Sequence, residues 1–240
     1  MCAVFESADL DDAETVDADK AVHDKQAVAN VRTEAVAIAK TEFNMELNSE
    51  EGQTALGLFP KVVSLARKLN ESQPLQLEFE QLISSNRQTQ QRTLTRRVPT
   101  RWNTDFAALQ SHVMFRREIL QLIAANPSLK MYLLTEKQWD LARHLSDVLV
   151  IFDEITTLFS CADVPLVHEV VPMLIQLEER LENIRDAPDL PKVIRIAAIA
   201  SLLVVEKYSK LSDLSEVYRI AMGTCFTFTK HRPSHLAALQ

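Results

Sequence analysis

The sequence predicts a mainly α protein built as a helical bundle, and three observations carry that expectation. Glycine is scarce: the 240 residues contain three, Gly52, Gly57 and Gly223, where average usage of about 7% would give several times as many. Folds that need many tight turns with positive φ are thereby disfavoured. From Phe59 onward, apolar residues recur at helical spacing in one segment after another. A single segment, Thr93–Val98, has the alternation and β-branching of a strand. The hydrophobic fraction of 47% and charged fraction of 25% are those of an ordinary globular chain.

Each element follows from local pattern. Residues 1–24 hold eight acids (Glu6, Asp9, Asp11, Asp12, Glu14, Asp17, Asp19, Asp24) against Lys20, and so read as an acidic mobile tail. Lys25 to Phe43 is helix-compatible with a thin apolar face, a marginal helix. After the polar patch Asn44 to Gln53, residues Phe59, Val62, Val63, Leu65, Ala66 and Leu69 mark a helix, and Leu75, Phe79, Leu82 and Ile83 mark the next. Thr93–Val98 is the strand candidate, stopped by Pro99. A lone strand leaves its backbone groups in need of a partner, and no second strand is evident.

Asn103 or Thr104 is placed to cap a helix running to about Ala125, with Phe106, Leu109, Val113, Ile119, Leu122 and Ile123 as its face. Thr135-Glu136-Lys137-Gln138 has the spacing of a capping box, followed by Leu141, Leu145, Val148, Phe152, Ile155 and Phe159. Asp163 and Pro165 open a further helix through Ile184, which Pro172 is expected to bend. Leu190 to Tyr208 is apolar nearly all round and expected to be buried, and Leu211 to Met222 closes the series.

The chemistry of several enzyme classes is missing from this pattern. The three glycines cannot form a phosphate-cradling loop of the GxGxxG or GxxxxGK type. Cys2, Cys161 and Cys225 form no CxxC pair, and the six histidines include no HExxH arrangement. Glu169, Glu178, Glu179 and Glu182 fall on the polar side of their helix, where solvent-facing acids belong. No catalytic residue, metal ligand or cofactor is assigned. The longest uncharged apolar run, Ile196 to Val205, is too short to span a bilayer, so no membrane association is expected and an intracellular location is the default.

The formal charge of −7 is carried by the acidic segment, which leaves the remainder balanced. Within that remainder, Arg87, Arg92, Arg96, Arg97, Arg101, Arg116 and Arg117 face one acid, Asp105, across the stretch they bound. Guanidinium suits bidentate phosphate or carboxylate recognition. The constellation Arg96-Arg97-Val98-Pro99-Thr100-Arg101-Trp102-Asn103-Thr104-Asp105 concentrates that chemistry where the strand candidate meets a helix. Arg96, Arg97, Arg101, Trp102 and Asn103 are the candidate nucleic-acid-binding residues, because an exposed indole stacks on a base while guanidinium and a helix N-terminus hold phosphate. The same residues also read as pure structure: Trp102 as an apolar staple, Asn103 as N-cap, Asp105 as a first-turn acid favoured by the helix dipole.

Val98-Pro99-Thr100-Arg101-Trp102-Asn103-Thr104, followed by a helix and then by Gln138-Trp139-Asp140-Leu141, Thr156-Thr157-Leu158-Phe159-Ser160 and Val164-Pro165, resembles the middle of hAT-superfamily DNA transposases. Val62 to Leu69, Glu71-Ser72 and Phe79 are similar to the helices that precede that turn in the family, so the likeness covers roughly Leu58 to Met222. The departures are Thr104-Asp105 after Asn103, where the family has serine, and the segment Gly223 to Gln240.

The resemblance implies a helical insertion domain with a residual strand-plus-helices piece of an RNase H-like α/β core. Its divisions are 1–52 for tail and marginal helix, 53–103 for the partial RNase H-like segment, 104–222 for the insertion-type bundle, and 223–240 for an unstructured end. It further implies that Trp102 lies near the position associated with a flipped base, that the metal-binding carboxylates fall outside this chain, and that Mg²⁺ belongs only to an intact family member. The expectation is a truncated or decayed transposase-derived protein, catalytically inactive and nuclear, with weak non-specific binding to DNA. A helical scaffold for a protein partner or for self-association is the alternative.

Overall fold

The computed structural model describes residues 18–86, 89–98, 102–160, 166–213, 217–218 and 220. Nine helices lie among them: α1 (Ala18–Thr41), α2 (Ser49–Leu56), α3 (Leu58–Glu71), α4 (Gln73–Asn86), α5 (Trp102–Met114), α6 (Arg116–Ala125), α7 (Glu136–Ser160), α8 (Val170–Asp186) and α9 (Lys192–Asp213). Short 3₁₀ segments, Pro127–Tyr132 and Val167–Glu169, lead into α7 and α8. The chain is mainly α, as its glycine content and periodicity predict. No described helix is long and apolar enough to cross a membrane.

The helix ends follow from named caps. Asn48 accepts from the Glu51 backbone N–H at 2.8 Å while the Glu51 carboxylate accepts from the Asn48 N–H at 2.9 Å, a reciprocal box that starts α2. The box expected before α7 is present: Thr135 Oγ1 accepts from the Gln138 N–H at 3.3 Å, and Gln138 Oε1 accepts from the Thr135 N–H at 3.1 Å. Gly57 joins α2 to α3 at the point where the Gln138 amide donates to the Thr54 carbonyl. A Cβ at Gly57 would stand 3.0 Å from Gln138 Nε2, so glycine is what admits that close approach.

One large core joins α2 through α7 and takes in Ile194 of α9. Phe59, Leu65 and Leu69 of α3, Phe79 and Ile83 of α4, Leu109 of α5, Phe115, and Ile119 and Leu122 of α6 are buried in it together. Phe79 and Phe115 meet edge to face with centroids 5.8 Å apart, an aromatic geometry worth about 0.5–1.5 kcal/mol beyond area burial. Residues on both sides of position 103 share this core. Two smaller clusters complete the molecule. Ala35, Ala39 and Met45 pack with Ile196 and Ile199, holding α1 on α9. Leu177 and Leu181 of α8 pack with Ala198 and Val205 of α9, with Phe152 and Ile155 of α7 alongside.

Several sequence expectations are corrected. Thr93–Val98 is not a strand, and the described residues contain none. It is an extended connection whose backbone is satisfied by side chains. Gln91 Nε2 donates to the Thr93 carbonyl at 2.9 Å, Asn70 Nδ2 to the Leu94 carbonyl at 3.2 Å, and the Thr95 N–H donates to Ser111 Oγ at 3.2 Å. The predicted helix from 103 to 125 is two helices, broken at the buried Phe115 (φ −98°, ψ 23°) that inserts against Phe79. Pro172 stands in the first turn of α8, which starts at Val170 and not near Pro165, and there a missing N–H costs no intrahelical bond. Residues 18–24, expected in the mobile tail, are helical within α1. The α9 face is divided: Ile194, Ile196, Ala198 and Ile199 are buried, whereas Val204, Tyr208 and Leu211 are exposed. Residues 1–17, Asp163, Pro165 and 223–240 lie outside the described residues.

Candidate nucleic-acid interface

The connection that runs over α3 and α5 alternates in burial. Leu94 is fully buried in the main core, Arg96 is exposed, and Arg97 turns back toward the protein. Its Nε donates to Asp105 Oδ1 at 2.6 Å, and the two side chains are only 13% and 11% exposed. Asp105 occupies the first turn of α5, where the helix dipole favours a negative charge. Burial pushes its carboxyl above the usual range, while the Arg97 guanidinium acts in the opposite sense. A second tie lies beside the first. Thr104 Oγ1 accepts from the Val98 N–H at 2.8 Å and donates to the Val98 carbonyl at 3.0 Å.

These two ties join residues 97 and 98 of the connection to residues 105 and 104 in the first turn of α5. Arg87 and Arg101 lie outside the described residues. Trp102 is the first residue of α5 and remains 39% exposed, with its ring edge to face on Phe152 of α7 at 6.4 Å and 77°. Asn103 is exposed within the first turn and is not the N-cap. Of the sequence-predicted site residues, the structure thus brings Trp102 and Asn103 together at the solvent-facing start of α5, reached by the connection that exposes Arg96. Arg97 is engaged in an internal ion pair.

The remaining arginines of the basic stretch are dispersed. Arg92 donates to Ser84 Oγ at 2.7 Å, while Arg116 pairs with Glu136 at 2.6 Å and lies over the Trp139 ring, 5.3 Å from its centroid. Arg117 is exposed on α6.

Sequence reasoning passed over His112. It is fully buried in α5, and burial lowers its pKa to about 4. The neutral ring therefore holds its proton on Nδ1, facing the Ala108 carbonyl at 3.1 Å, and Nε2 has no hydrogen-bond partner. The signal was present in the 105, 108, 109, 112 spacing, which puts His112 on the same helix face as buried Ala108 and Leu109.

The turn, the connection before it and helices α2 to α6 together define the segment that a comparison with known families picks out. Residues 50–148 match the ZBED1 RNase-like helical domain. This is a domain class of hAT-related, transposase-derived proteins, and the likeness supports the helical domain type. The matched segment begins in α2, includes the Trp102 turn and ends inside α7, ahead of Phe152; α8 and α9 lie beyond it. No curated protein and no solved structure matches the chain.

Proposed function

We propose that this is a transposase-derived protein without nuclease activity, which binds nucleic acid weakly and without sequence preference at the start of α5. The observation that carries the reading is the exposed indole of Trp102, backed by Phe152 and set at a helix N-terminus next to Asn103, with Arg96 exposed on the approaching chain. A helix N-terminus favours phosphate and a half-free indole accepts the face of a base, so single-stranded nucleic acid is the ligand that uses both. The reading assigns Arg96, Arg101, Trp102 and Asn103 to contact and includes a nuclear location. Dissociation constants of roughly 10⁻⁴ to 10⁻⁶ M are the relevant scale.

The test is fluorescence quenching of Trp102 by a single-stranded oligodeoxythymidine in a Trp139→Phe background. Quenching is expected, and Trp102→Ala is expected to weaken binding by about 1–3 kcal/mol. No quenching together with a lowered melting temperature in Trp102→Ala would reduce the turn to a structural role. A Mg²⁺-dependent nicking assay on supercoiled plasmid is expected to give no product, and activity abolished by one carboxylate substitution would overturn the non-catalytic reading.

A second reading, a helical scaffold for a protein partner, is favoured by one feature: Val204, Tyr208 and Leu211 are exposed at helical spacing on α9. Binding through that face would be nearly indifferent to salt, whereas phosphate binding weakens linearly in log[salt].

A further inference from the structure

We infer that Arg97, Asp105 and Thr104 are positioning residues, a double clasp that fixes Trp102 for its ligand, and that Arg97 is not itself a phosphate contact. The inference rests on the proposed role of the turn in nucleic-acid binding and reassigns one of its arginines. The geometry is specific. Arg97 and Asp105 stand on either side of the interval that contains Trp102, and their 2.6 Å bond is largely withdrawn from solvent. Thr104 ties both backbone polar groups of Val98 with one hydroxyl. Both ties start from residues of the connection and end in the first turn of α5, the turn that carries the indole meeting Phe152. A site held on both sides loses less conformational freedom when a ligand orders it, so the clasp contributes affinity without touching the ligand.

Contact and positioning predict opposite signs for one substitution. If Arg97 held phosphate, Asp105→Asn would remove a competing negative charge and tighten binding. If Arg97 positions the turn through Asp105, the same change weakens the clasp and loosens binding. Salt dependence gives a second criterion, because loss of a phosphate-contacting cation lowers the slope of log K against log[salt] by about 0.7 on a single strand, and loss of a positioning group leaves the slope unchanged.

Arg97→Met alone strands a buried carboxylate, so the decisive variants are Asp105→Asn, the charge-neutral pair Arg97→Met with Asp105→Asn, and Thr104→Val, which keeps shape and charge. Each is made in the full chain with Trp139→Phe, and the probe is a single-stranded oligodeoxythymidine titrated at several salt concentrations. Thr104→Val is expected to weaken binding by about fivefold, the scale of one net hydrogen bond, with the same salt slope as the parent. Asp105→Asn and the paired variant are expected to weaken binding too, again with the slope unchanged.

Acrylamide quenching of Trp102 without nucleic acid gives a readout independent of binding, and it is expected to rise in all three variants. Tighter binding by Asp105→Asn, or a slope lowered by about 0.7 in the paired variant, makes Arg97 a phosphate contact and overturns the inference. If the parent protein does not retain the oligonucleotide at low salt, the proposed function fails on its own. The clasp is then decided by acrylamide alone: increased quenching upholds it, and unchanged quenching in all three variants overturns it.

Discussion

The core of α2 to α7 and the layer of α1, α8 and α9 are stabilised by different kinds of side chain. The first buries Phe59, Phe79, Phe115, Leu58, Leu65, Leu69, Leu109 and Leu122 essentially completely. The second brings α1 onto α9 over alanines, Ala35 and Ala39 against Ile196 and Ile199, packs α8 on α9 through Leu177 and Leu181, and leaves Val204, Tyr208 and Leu211 exposed on the same α9. Large interdigitated side chains define one arrangement sharply, because any vacancy forfeits many contacts. Alanine faces allow close approach of helices with little area per residue. The matched domain, residues 50–148, contains nearly all of the first region, and α9 reaches that region through Ile194. The difference therefore separates a core of large buried side chains from helices with sparser packing laid against it.

The comparison is broken most directly by cavities. Phe115→Ala removes a fully buried ring that meets Phe79 edge to face, and a loss of about 3–5 kcal/mol is expected. Ile199→Ala in the second region is expected to cost about 2 kcal/mol, the low end for such a change, because its alanine neighbours and partly exposed Leu203 leave room to settle. Urea midpoints of the two variants measure the contrast. Equal losses would show that the outer layer packs as tightly as the core.

Acid sharpens it further. With His112 lowered from 6.5 to about 4, the folded state refuses a proton that the unfolded chain accepts in that interval. The stability this group contributes is fully present above 6.5 and is lost as pH falls toward 4, by about 3 kcal/mol in all. Asp105 acts in the opposite sense: its folded pKa is raised above 3.8, so its contribution is present at lower pH and lost as pH rises through that region. The two groups act with opposite sign, so stability that falls from pH 7 to 5 in denaturant titrations carries the His112 sign, and His112→Leu should flatten that slope. A slope that persists in His112→Leu would move the acid sensitivity elsewhere.

Where the sequence was legible, the reason is local. The 3.6-residue spacing of Phe59 to Leu69 and the Thr135–Gln138 box report interactions within one or two turns, and both appear as expected. Thr93–Val98 misled because β-branched alternation says only that a segment is extended. Its partners are the side chains of Gln91, two residues before Thr93, and of Asn70 and Ser111 from α3 and α5, and no local pattern encodes the last two. The break at Phe115 was hidden for a related reason, since the apolar pattern continues through it and the ring that Phe115 meets, Phe79, belongs to another helix. At the candidate interface, the crowding of Arg97, Trp102 and Asp105 was visible as composition. That Arg97 turns inward to Asp105 while Trp102 stays 39% exposed depended on tertiary packing.

The smallest expected effect lies where α1 leaves the outer layer. Asn44 has φ 50°, in the left-handed region that ordinary L-residues enter at a cost of roughly 1–2 kcal/mol and that asparagine tolerates better. It lies three residues past the end of α1, and the Met45 N–H donates back to the Ala39 carbonyl at 2.8 Å, which closes the chain back on the last turns of the helix. That closure sets Met45 beside Ala39 in the α1/α9 cluster. Asn44→Ala should strain the turn and cost about 1 kcal/mol, whereas Asn44→Gly, free of the Cβ clash, should be neutral or gain a few tenths. Because α1 rests on alanine contacts, the loss should appear first as faster amide exchange in Arg32 to Lys40, with exchange in α3 unchanged. Equal acceleration in both helices would mean that α1 and the main core unfold as one cooperative unit, and the distinction between the two regions would then be one of composition alone.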